Sequence, residues 1–177
     1  MATKKPTTKT TAKKTPTTET QGTEQQAAAP LNVIAQYVKD ISFENPGVKL
    51  SSRGNDRPDI AIHVETHGEK FEQRGERTFE VSLRIRVDAK QKDDQLFLME
   101  LDYAGVFEIG ADVPEQYLHP IIMVECPRIL FPFARSIVAT TIQEGGYPSL
   151  LLTPVDFAAL YQQQVMKQQA EQEAAAK

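Results

Sequence analysis

The side chains that could do chemistry in this sequence are few: three histidines, one cysteine and some close carboxylates. His63 and His67 are four apart, a spacing that would put two imidazoles on one helix face for a metal. Their surroundings are those of a strand end running into Gly68, not of a helix. Cys126 precedes Pro127 inside an apolar stretch, where a thiol serves as a small hydrophobe rather than a nucleophile. Asp93-Asp94 falls in a polar turn. No cysteine pair, Walker-type phosphate loop or nucleophile elbow is present. The expectation is therefore a binding protein with no catalytic residue, metal site or cofactor.

The remaining composition narrows the kind of binding. One cysteine cannot form an internal disulfide, which suits a reducing, cytoplasmic setting. No apolar run approaches the roughly 20 residues of a membrane span, and the N-terminus lacks the apolar core of a secretory signal. The net charge is −4. Five lysines against two glutamates give residues 1–30 a balance of +3, so the rest of the chain carries −7. An acidic body argues against nucleic acid as the ligand and suits a basic protein partner.

Residues 1–29 are rich in Thr, Lys, Gln and Ala and hold no aromatic residue, so a disordered tail is expected there. The folded domain is expected over 30–164, and a flexible tail over 165–177. Within the domain a period of two dominates. Leu31, Val33, Ala35, Tyr37, Ile41 and Phe43 predict the apolar face of a first strand, ended by Asn45-Pro46-Gly47. Ile60, Ile62 and Val64 mark a second strand. Phe79, Val81, Leu83, Ile85 and Val87 mark a third, with Glu80, Ser82, Arg84, Arg86 and Asp88 on its other side. Gln91-Lys92-Asp93-Asp94 predicts a hairpin turn into a fourth strand, from about residue 95 to 103. Residues 105–113 are expected to cross over to helices.

Those helices are shaped by proline. A short one is predicted from Pro114 and disturbed at Pro120. Pro127 and Pro132 argue against an ordinary continuous helix, so Cys126–Arg135 is expected to be a buried, bent lead-in to a helix ending at Gly145-Gly146. Thr153 is the predicted cap of the last helix, with Pro154 at its first position and Asp156 facing the free amides. The fold class is α+β, a four-stranded antiparallel sheet with C-terminal helices packed on one face. The apolar residues of the long helix exceed one stripe, which predicts burial against further copies of the chain.

Two surface features carry functional expectations. Asp40, Ser42 and Glu44 lie on the polar side of the first strand, and Leu98 and Glu100 on that of the fourth. A leucine among carboxylates could anchor a basic partner. Val106, Phe107, Ile109, Tyr147, Leu150, Leu151 and Leu152 put unusual apolar content in segments predicted to be loops, which could line a groove for extended polypeptide.

Three blocks resemble the bacterial export chaperone family SecB: Tyr37–Pro46, Cys126–Arg135 and Tyr147–Tyr161. Weaker similarity extends this from about residue 31 to 164, although Tyr103-Ala104 departs from the more polar residues typical there. The resemblance implies a homotetramer built as a dimer of dimers, without nucleotide or catalysis. Such a protein would bind unfolded precursors, keep them competent for export and deliver them to the motor SecA, without inserting in the membrane. Asp40, Glu44, Leu98 and Glu100 fall where the family contacts a basic, zinc-holding C-terminal tail of SecA, so any zinc would belong to that partner. Met99, Leu101 and Tyr103 fall in a stretch used for subunit packing. Phe107, Leu150, Leu152, Phe157 and Leu160 are the candidates for the client groove, by position and apolar character. Two alternatives remain: a chaperone of the same fold dedicated to one partner, such as an antitoxin, and an oligomeric scaffold that binds no unfolded chain.

Overall fold

A computed structural model describes residues 30–49 and 57–175; the expected tail at 1–29 lies outside them. Among the described residues four antiparallel strands form one sheet: β1 (Leu31–Glu44), β2 (Asp59–Lys70), β3 (Thr78–Gln91) and β4 (Asp94–Ile109). Their order is β1-β4-β3-β2, so β1 lies beside β4 rather than beside its sequence neighbour. That is a Greek-key arrangement, with a meander of three strands and one returning strand. The β3–β4 hairpin closes through Lys92 and Asp93, with Gln91 paired to Asp94 and Lys92 at a φ of 58°. Positive φ suits the primed turns that match strand twist in tight hairpins.

Alternation on β3 fixes which side becomes the core. Val81, Leu83, Ile85 and Val87 are buried and pair with Gly105, Tyr103, Leu101 and Met99 of β4. Directly paired residues share a face, so this set forms a continuous apolar floor. Helix α2 (Cys126–Glu144) lies on it through Cys126, Leu130, Ala134, Val138 and Ile142, all buried and spaced by four. Burying one large aliphatic side chain of this kind stabilises the fold by about 1.5–3 kcal/mol.

Strand β4 runs further than its polar pattern suggests. The segment expected to cross over from residue 105 remains paired to Ile109, and Val106, Phe107 and Ile109 are buried strand residues, not loop residues. Gly105 is what admits this. A Cβ there would stand 2.8 Å from the Phe107 ring and 2.9 Å from a Leu130 methyl, so only glycine lets α2 sit this close to the sheet.

The helical layer departs from expectation at its prolines. Residues 115–144 are helical without a break: a 3-10 turn (Glu115–Tyr117), a single turn α1 (Leu118–Pro120), a π turn (Ile121–Glu125) and α2. The Cys126 amide donates to the Ile121 carbonyl, five residues back. That widening accommodates the ring of Pro127, which would otherwise crowd the preceding turn. Pro132 lies inside α2 on its exposed side, and the carbonyl it cannot serve belongs to exposed Arg128, where water can replace the missing amide. The irregularity the prolines demand is thus present, but as a π turn ahead of an otherwise continuous helix.

Helix α3 (Phe157–Ala175) begins three residues later than expected from a cap at Thr153. Asp156 is the cap: its side chain accepts the Ala159 amide at 3.0 Å. The helix also continues to Ala175 through the segment expected to be a flexible tail, so no break separates 164 from 165. Phe157 anchors the helix, edge-on to Phe131 at 5.9 Å. Between the helices, Tyr147 packs at a tilt against Phe97, which meets Phe43, at 4.8 and 5.6 Å. The Tyr147 hydroxyl lies 2.9 Å from Asn45 Oδ1 and 3.1 Å from the Leu96 carbonyl, while Asn45 Nδ2 donates to the Gly145 carbonyl. Asn45 thereby ties the end of β1 to the end of α2.

Gly105→Ala is expected to lower stability by about 1–3 kcal/mol, the cost of overpacking a filled core. Urea unfolding measures it; an unchanged midpoint would show that Phe107 and Leu130 yield freely.

Candidate functional site

Among the described residues, helices cover one face of the sheet and leave the other open. On that open face β1 and β4 pair Asp40 with Asp102, Ser42 with Glu100 and Glu44 with Leu98. The four residues expected at the docking surface, Asp40, Glu44, Leu98 and Glu100, therefore gather on two adjacent strands at one end of the sheet. Asp40 and Glu44 are exposed, and Leu98 and Glu100 are partly exposed. Leu98 supplies an apolar contact among carboxylates.

The same register brings in residues that sequence patterns did not mark as functional. β3 sets Arg84 opposite Asp102 and Arg86 opposite Glu100. Arg84 Nε donates to Asp102 Oδ2 at 3.0 Å, a bond that raises the guanidinium pKa further. Arg86 Nη1 donates to Glu100 Oε1. Around these pairs lies a shallow depression of about 590 Å³, lined also by Lys39, Asp40, His63 and Glu65. Among the described residues, Asp102 Oδ1 is buried there without a hydrogen-bond partner. The polar half of the β3 alternation named the arginines; only the hairpin register shows that they face these carboxylates.

Strand β1 breaks its own alternation. Register shifts fall between Val33 and Ala35 and again between Val38 and Asp40, leaving Ile34 and Lys39 as bulge residues. The expected single face of Leu31, Val33, Ala35, Tyr37, Ile41 and Phe43 is thereby divided. Ala35 and Tyr37 pair with Val106 and Ala104 and belong to the open face. Tyr37 donates to Glu80 Oε2 at 2.6 Å, and Lys39 Nζ donates to Glu80 Oε1. Burial pushes the Glu80 carboxyl up, but the bonds from Lys39 and Tyr37 together outweigh it and hold the group below its ordinary value. Burial and the bond to Glu80 push Tyr37 up to about 12.

The covered face accounts for the other candidates. Phe107, Leu152 and Phe157 are fully buried in the core of this chain, whereas Leu150 and Leu160 are partly exposed. The five expected groove residues are thus not equivalent: three are core residues of this chain and two reach its surface. Met99 and Leu101 are likewise buried under the helices, and Tyr103 stacks on Phe133 at 6.5 Å. Beside them the apolar surface is uncovered: Val38 and Ile41 on β1 are each 43 % exposed, Phe133 on α2 is 51 % exposed and Leu151 is 65 % exposed.

The residues first considered for chemistry do not assemble. His63 and His67 lie four apart along β2, about 13 Å at strand rise. They pair with Arg86 and Ser82 rather than with another ligand. Among the described residues no cluster of three His, Cys, Asp or Glu side chains could hold a metal. Burial pushes the Cys126 thiol up to about 12, which leaves no thiolate for nucleophilic attack at neutral pH. No described helix is long and apolar enough to cross a membrane.

Among the described residues, an acidic sheet face and an apolar helical side stand without an assembled catalytic group, as a binding protein would show. Comparison with known proteins identifies its kind. Residues 24–169 match the family described as preprotein translocase subunit SecB. The protein-export protein SecB of Afipia carboxidovorans is 48% identical over 159 residues, covering 88% of this chain and 96% of that protein. Its counterpart in Bradyrhizobium diazoefficiens is 47% identical over 152 residues, covering 84% and 92%. Among solved structures, the SecB-like chaperone of Mycobacterium tuberculosis, bound to a peptide from the HigA1 antitoxin, superposes with a TM-score of 0.58. It covers 72% of this chain and 92% of its own, at 14% identity, a likeness of fold alone. The chain belongs to the SecB family. It is a protein-export chaperone and not an enzyme, and the single-partner alternative is not favoured.

The Glu80 cluster carries a pH dependence of stability. A carboxyl held low in the fold stabilises it above the ordinary value of 4.5 and loses that contribution as pH falls through the lowered one. Glu80→Gln is expected to cost about 1 kcal/mol at pH 7, with the gap to the unsubstituted protein narrowing below pH 4.5. Urea unfolding across pH checks this; a constant gap would refute it.

Proposed function

We propose that this chain holds unfolded precursor proteins without ATP, keeps them competent for translocation in the cytoplasm and delivers them to SecA. The observation that carries the reading is the gathering of Asp40, Glu44, Leu98 and Glu100 on an uncovered sheet face, in a chain of the SecB family. These four residues receive the basic, zinc-holding C-terminal tail of SecA, with Leu98 as the apolar anchor and the carboxylates steering the approach. The zinc is the partner's own.

Clients bind on the apolar side of the molecule. Leu150 and Leu160 contact them directly, with exposed Leu151, while Phe107, Leu152 and Phe157 give the groove a rigid apolar base. Burial of apolar surface is non-directional and worth about 25 cal/mol per Å², so such a surface accepts many sequences. Folded proteins expose no comparable segments and pass unbound. Discrimination therefore rests on how long a precursor stays unfolded.

Self-assembly into a homotetramer, as a dimer of dimers, covers what one chain leaves open. Val38, Ile41 and Phe133, flanking Met99, Leu101 and Tyr103, form the surface a second copy would bury. Several client surfaces on one particle then act together, because each later contact forms at high effective concentration.

Light scattering on the purified protein is expected to give the mass of a tetramer, increased by an unfolded precursor without ATP and unchanged by the same precursor when folded. An oligomer that ignores both forms would favour the scaffold. Phe133→Asp is expected to lower the mass to that of a smaller species. On the other face, Leu98→Ala and Asp40→Asn are each expected to weaken SecA-tail binding about tenfold, read by calorimetry, while leaving client binding intact. Unchanged tail affinity in both would remove the docking assignment.

A further inference from the structure

The docking face is not uniformly acidic. Arg86 sits in its middle, paired across the hairpin with Glu100, and each side chain is 47 % exposed. We infer that Arg86 is an internal competitor of the basic docking tail, occupying Glu100 until the tail displaces it. The inference rests on the docking reading above and adds a residue that sets its affinity.

Three observations support it. The Arg86–Glu100 pair is open to solvent, so it is worth little to the fold and can exchange partners at small cost. Its geometry is that of a guanidinium nitrogen on a carboxylate oxygen, the same bond a basic side chain of the tail would make. The neighbouring pair behaves differently: Arg84 holds Asp102, whose side chain is only 12 % exposed. Asp102 Oδ1, buried at the rim of the depression and without a partner among the described residues, is an acceptor that Arg84 does not use. A tail cation entering there would meet Asp102 and Asp40 together, beside Arg84 held on Asp102 and Arg86 held on Glu100, and of these two arginines Arg86 sits on the more exposed carboxylate. Docking on this face is therefore an exchange of one cation for another, and the displaced arginine stays close enough to repel the incoming one.

The test is calorimetry and stopped-flow binding of the zinc-loaded C-terminal tail peptide of SecA to the full chain. Arg86→Gln is expected to tighten binding roughly two- to fivefold, chiefly through a faster association rate and more at low salt than at high salt. Glu100→Gln is expected to weaken it. In the double variant the gain from Arg86→Gln should vanish, because Arg86 acts through Glu100; a gain that persists there would show only a diffuse charge effect and overturn the inference. Arg128→Gln, an equal charge change on the outer side of α2, should leave tail binding unaltered. If the tail binds, Leu98→Ala weakens it and Arg86→Gln leaves it unchanged or looser, Arg86 supports the site rather than competing for it, and the inference fails alone. If the tail does not bind the unsubstituted chain, the docking reading fails and takes this inference with it.

Discussion

Register along β4 is the constraint on which both sides of the molecule depend. Its odd residues Phe97, Met99, Leu101, Tyr103, Phe107 and Ile109 are buried against α2 and β3, and its even residues Leu98, Glu100 and Asp102 look out from the open face. A slip of one residue would exchange the two sets, exposing a core and burying the three outward groups at once. The tight turn at Lys92-Asp93 fixes the register on one side, and the long pairing with β1 fixes it on the other. The proposed docking surface is in this sense held in place by the hydrophobic core behind it, since the same backbone places both.

The helical layer depends on β4 through a close approach rather than through volume. Gly105 lets Leu130 reach the sheet, and the stripe from Cys126 to Ile142 then seals it. The π turn before Cys126 belongs to the same fit. It takes up the distortion imposed by Pro127, so α2 itself stays regular over the floor. Pro132 is tolerated because it sits on the side away from that floor.

Much of this was legible in the sequence because a two-sided sheet writes its faces as alternation. β1 was readable to its end residues, β3 gave a clean period of two, and the polar positions of β1 and β4 predicted a shared face that the pairing reproduces. The failures came where one element contradicts its own period. Bulges at Ile34 and Lys39 shift the phase of β1, so Tyr37 faces Glu80 and not the core. Gly105 resembles a strand end unless its close contact with Leu130 is known. Pro132 resembles a helix break unless its exposure is known. In each case the deciding fact is a tertiary neighbour, absent from any local window. The arginine–carboxylate pairs on the open face were hidden for the same reason: each residue was visible, its partner across the hairpin was not.

Separation of the two faces bears on how a holding chaperone of this kind can hand over a client. In the proposed arrangement the tail of SecA meets the open face, and the client meets the helical side and the loop around Leu150 and Leu151. The two ligands share a backbone but no surface, so neither need leave before the other arrives. Transfer then requires no nucleotide and no large conformational step in this chain. Docking raises the local concentration of the motor beside a bound precursor, and many weak apolar contacts release one at a time as the precursor is drawn away. A face partly neutralised by its own arginines suits that task, because a docking contact that is too tight would outlast the delivery it serves.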